Sequence, residues 1–78
     1  MSGFDMGVLA DNLRAERVRA RMSQKDVADA IGASPAAVQK WEAGESVPLI
    51  GSVYSLADLY GIGIDKLCGW NKAEQSAA

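Results

Sequence analysis

Apolar residues begin to recur at helical spacing just after Asp5. Met6, Leu9, Ala10, Leu13 and Ala20 fall on one side of a helix of about 3.6 residues per turn. They predict a first helix capped by Asp5 and running to about Arg21. Ser23 then caps a second helix, with Asp26 three positions on in the reciprocal place of a capping box. Val27, Ala28 and Ile31 turn inward on it, and Gly32 suits a left-handed C-terminal cap. Ser34 caps a third helix that starts with Pro35 and stops at Gly44. Pro48 precedes a fourth, whose stripe is Leu49, Ile50, Val53, Leu56, Ala57 and Tyr60 and whose stop is Gly61. A short fifth covers about Ile64 to Cys68 and ends at Gly69. No stretch alternates apolar and polar residues long enough for a strand. The pattern predicts an all-α chain, a compact five-helix bundle with connections of a few residues.

The second and third helices are separated only by Gly32, Ala33 and Ser34. A helix pair with so tight a glycine-containing turn is the helix-turn-helix arrangement, whose second helix can enter a DNA major groove. Tight corners occur in any helical bundle, so the turn alone leaves both readings open.

The third helix can be divided by angle, advancing about 100° per residue from Ser34. Ala37, Val38 and Trp41 gather on the inward side. Pro35, Ala36, Gln39, Lys40 and Ala43 gather opposite. The outward face is low in relief at its start and polar in its middle. Small residues let the backbone approach a partner closely, while Gln39 and Lys40 reach further. Glutamine can pair bidentately with adenine, and lysine can donate to guanine O6 and N7. The plainer account is that Ala, Gln and Lys are good exposed helix formers.

Arg17 stands in the middle of the first helix's apolar face, between Leu13 and Ala20. An arginine there needs water or an acceptor, because burying an unpaired charge is costly. Glu42, on the flank of the third helix, is the expected partner. A partly buried bidentate pair between them would brace the third helix against the first.

Charge changes the picture more through its distribution than its sum. The 78 residues carry a net −2, which mildly disfavours nucleic acid as a partner. Yet Arg14, Arg17, Arg19, Arg21 and Lys25 face only Glu16 between positions 14 and 25, so the basic charge is concentrated at one end. The apolar share of 49% is that of a globular chain, and the length suits one small domain. No apolar run is long enough for a bilayer, and the start lacks the pattern of a signal peptide. A single cysteine, Cys68, fits a reducing cytoplasm and reads as a small buried hydrophobe. There is no histidine, no cysteine pair and no Gly-rich phosphate loop, so no enzyme, metal site or cofactor is expected.

The segment SQKDVADAIGASPAAVQKWEAGESVP resembles the helix-turn-helix of the lambda-repressor-like (Cro/repressor, XRE-type) DNA-binding domains. The likeness rests on Ser23-Gln24, Val27-Ala28, Ile31-Gly32, Ser34, Val38, Trp41-Glu42, Gly44 and Pro48. LADLYGIGIDKLCG resembles the fourth and fifth helices of that family, so the match covers roughly residues 8 to 69. It implies an N-terminal arm at 1–6, a DNA-binding domain at 7–69 with its helix-turn-helix at about 23–44, and a tail at 70–78. It implies a transcriptional regulator, repressor-like, with double-stranded DNA as partner and no membrane or small-molecule substrate. Pro35, Ala36, Gln39 and Lys40 would face the bases. Gln24, Lys25, Ser34, Gly44 and Ser46 would contact phosphate, and Arg17 with Glu42 would be the family's structural ion pair.

The chain departs from the family pattern at three places. Pro35 and Ala36 occupy positions that are often polar, which leaves methyl contacts and DNA shape to supply readout. Glu45 stands where a phosphate is expected. Gly63 replaces the usual capping residue before the fifth helix. A homodimer on a short palindrome would bring two third helices into successive major grooves, and Tyr54, Leu59 and Trp70 are candidates for its interface. A protein-binding or antitoxin-like module on the same fold is the alternative, favoured by the acidic body and Glu45. Phage repressor, restriction-modification controller and antitoxin all remain open among the sub-types.

Overall fold

The computed structural model describes residues 3–69. Five helices follow in order: α1 Met6–Arg19, α2 Gln24–Ile31, α3 Pro35–Glu42, α4 Ile50–Tyr60 and α5 Ile64–Cys68. Each boundary has a local cause. The Asp5 carboxylate accepts from the amides of Gly7 and Val8 and starts α1. The Ser23 hydroxyl accepts from Asp26 N while Asp26 accepts from Ser23 N, which completes the capping box of α2. These bonds hold the Asp26 carboxyl below its usual range, the backbone donor of Ser23 first among the causes. Ser34 caps α3 through Ala37 N, with Pro35 in the first turn. Gly32 ends α2 at φ 75°, a conformation that Cβ-bearing residues avoid.

α2 and α3 pack on each other, α1 lies across α3 and α5, and α4 closes the bundle against α2 and α5. Leu9 and Leu13 of α1, Val27 and Ala28 of α2, Val38 and Trp41 of α3, Val53, Leu56, Ala57 and Tyr60 of α4, and Leu67 of α5 form one core. α5 is only five residues long and starts at Gly63 without a side-chain cap. Its C-terminal end is tied instead by α1, where Asn12 Nδ2 donates to the carbonyl of Leu67 at 2.9 Å.

Three expectations shift. α1 stops at Arg19, two residues early, and Ala20 becomes its exposed cap. Of its predicted stripe, Leu9, Ala10 and Leu13 are buried while Met6 and Ala20 at the ends are not. At the start of α4, the N-cap Leu49 is 81% exposed and Ile50 69% exposed. Their angles point inward, but the stripe is buried only from Val53 onward. Leu59, expected on the outer surface, is half-buried against the core, whereas Tyr54 is exposed. Trp70 lies outside the described residues.

Candidate nucleic-acid interface

α3 is fixed from beneath and open above. Val38 and Trp41 enter the core, Ala37 is half-buried, and Pro35, Ala36, Gln39, Lys40 and Ala43 are exposed together on the other side. The expected base-facing residues therefore share one accessible face.

The flank of α3 is held by charge. Arg17 Nε donates to Glu42 Oε2 at 2.7 Å and Nη2 donates to Oε1 at 3.1 Å, a bidentate geometry with both side chains largely covered. The third arm of the guanidinium, Nη1, donates to the Met22 carbonyl at 2.9 Å, so the same arginine also pins the turn between α1 and α2. Gln24 Nε2 reaches Glu42 Oε1 at 3.3 Å. One carboxylate thus receives groups from α1 and α2 while standing on α3. The hydrogen bond to Glu42 raises the Arg17 pKa above its ordinary value. Tyr60 lies beside this pair, and burial, with the Glu42 charge second, pushes its hydroxyl up to about 12.

The other sequence-derived residues are placed unevenly. Ser34 is exposed at the start of α3, with its hydroxyl occupied as the cap acceptor. Lys25 lies exposed on α2, where its Nζ pairs with Asp29 at 2.8 Å, and a phosphate would have to compete with that pairing. Gly44, at φ 74°, donates its N–H to Trp41 O, and Glu45 donates to Lys40 O. These amides close the end of α3 and are not free donors; Ser46 takes no part in that closure. Glu45 is exposed beside it.

Sequence reasoning missed two features here. The Gln24–Glu42 link requires the α2–α3 crossing to be known. Arg21 is the other: among the described residues it alone, apart from glycines, has a left-handed backbone, at φ 59°. Its five-fold basic neighbourhood was visible in the sequence, but the conformation was not.

The fold and this interface define a helix-turn-helix domain, and the chain belongs to that family in its lambda-repressor-like (Cro/repressor, XRE-type) form. The family model described as helix-turn-helix matches residues 13–67. The cryptic phage CTXphi transcriptional repressor RstR of Vibrio cholerae serotype O1 is 34% identical over 61 residues. That match covers 78% of this chain and 54% of RstR, so the chain spans about half the length of this curated relative. The solution structure of the SOS-response transcriptional repressor LexA from Eubacterium rectale is similar at TM-score 0.79 and 28% identity, covering 86% of this chain and 71% of that one. The P22 c2 repressor, solved in complex with a synthetic operator, is similar at TM-score 0.77 over 82% of this chain and 97% of its own. At 22% identity that likeness is one of fold. No helix among the described residues is long and apolar enough to cross a membrane.

Proposed function

We propose that this chain is a DNA-binding transcriptional regulator, repressor-like, that acts in the cytoplasm and places α3 in the major groove of a short palindrome as a homodimer. The observation that carries this reading is the rigid mounting of α3, whose outward face of Pro35, Ala36, Gln39 and Lys40 is exposed as a unit. Gln39 and Lys40 supply the hydrogen-bonding readout. Pro35 and Ala36 supply close approach and methyl contact with thymine. Of the expected phosphate contacts, Gln24, Lys25 and Ser34 would have to share groups already engaged within the fold, Gly44 offers only close approach of its backbone, and Ser46 offers its amide. The family and the repressor relative support DNA as the partner. Tyr54, 62% exposed on α4, remains available for a two-fold contact.

Selection of bound sequences from random duplex DNA, with affinity measured at two salt concentrations, tests the reading. The expected result is an enriched palindrome, with specificity weakened in Lys40→Ala and Gln39→Ala. Enrichment of no motif at low salt would instead favour a protein partner for the same face, the reading to which exposed Glu45 lends weight.

A further inference from the structure

The turn between α1 and α2 holds a contradiction. Arg21 has φ 59°, a left-handed conformation that costs any residue with a Cβ and that glycine accepts freely. The backbone leaves little choice there. Arg21 N donates to Val18 O, Met22 N donates to Arg17 O, and the Met22 carbonyl accepts from Arg17 Nη1. A strained position that glycine would relieve is occupied by a long cation.

That cation is uncommitted. Arg17 pairs with Glu42, Arg19 with Glu16 and Lys25 with Asp29, whereas the exposed Arg21 has no acidic partner among the described residues. It also precedes Gln24 by only three positions. The network of Arg17, Glu42 and Gln24 fixes both the turn that carries Arg21 and the helix start beside it.

We infer that Arg21 is a DNA-backbone contact, a phosphate clamp that extends the interface from α2 onto the preceding turn. This rests on the proposed DNA-binding reading and deepens it. The guanidinium contributes affinity without sequence information, because it meets phosphate rather than bases. In a chain of net −2 each unpaired cation at the interface counts toward attraction to the DNA backbone.

The test uses Arg21→Gly, Arg21→Lys and a charge-matched control, Lys66→Ala on α5, assayed on the duplex enriched by selection. Arg21→Gly relieves the turn, so its Tm is expected at or above that of the wild type. Its affinity is expected to fall about fivefold per bound subunit near 0.15 M salt, with the slope of log affinity against log salt reduced by about 0.9 per subunit. Base preference should not change, Arg21→Lys should recover most of the loss, and Lys66→Ala should leave the slope unchanged. Wild-type-like affinity and slope in Arg21→Gly would overturn the inference while leaving the DNA-binding reading intact. A wild-type chain that binds no duplex at low salt would overturn that reading and this inference with it.

Discussion

Glu42 carries more of the architecture than any other single side chain on the α3 flank. Its two oxygens take Arg17 from α1 and Gln24 from α2, so one carboxylate fixes the position of three helices. Removing one partner leaves the other charge covered and unpaired, which costs more than losing the attraction itself. Arg17→Ala and Glu42→Ala are each expected to destabilise by about 3 kcal/mol, and the double variant by less than the sum, with a coupling of about 1–3 kcal/mol. Urea unfolding of the four proteins in the cycle measures it, and zero coupling would refute the brace. Arg17 could be singled out in the sequence because a lone arginine interrupts an apolar face. The Met22 carbonyl and the Gln24 amide could not, since nothing in a residue's identity says which backbone oxygen will lie within reach.

At the scale of elements, caps proved more legible than stripes. Asp5, Ser23, Ser34, Gly32 and Gly61 stand at the ends their chemistry requires, because capping is decided within three or four residues. Burial is decided by whatever lies opposite, and periodicity reports only direction. Leu49 shows the difference. It occupies the N-cap of α4, 81% exposed, and offers the helix no side-chain acceptor. Leu49→Asp should therefore stabilise the monomer by about 0.5–1 kcal/mol, through a cap bond and a favourable charge at the helix start. Thermal unfolding of the variant at low protein concentration reads this directly. A loss of stability there would mean that Leu49 packs against something in solution.

The whole molecule joins a basic end to an acidic body. The fold class could be read from the sequence because turn length, caps and apolar spacing agree over some sixty residues, and the family from the resemblance carried by Ser23-Gln24, Ile31-Gly32, Trp41-Glu42 and their neighbours. The site was less legible. Gln39 and Lys40 are named by their angle on the helix, whereas the occupied amides of Gly44 and Glu45 and the pairing of Lys25 depend on the folded chain.

The Asn12 tie on α5 bears on how the bundle comes apart. α5 has five residues, no side-chain cap at its start, and a C-terminal carbonyl held across 55 positions of sequence by one amide group. Such a segment is suited to open as a separate cooperative unit while α2 and α3 remain closed. Native-state hydrogen exchange is expected to find the α5 amides exchanging through a low-energy opening, well before those of α2 and α3. Asn12→Ala should speed exchange in α5 and leave the Arg17–Glu42 region protected. If both regions accelerate together, the bundle opens only as one piece. If α5 alone accelerates, the helix-turn-helix is a unit that survives the loss of its last helix, with its exchange protection set by the three-helix clamp.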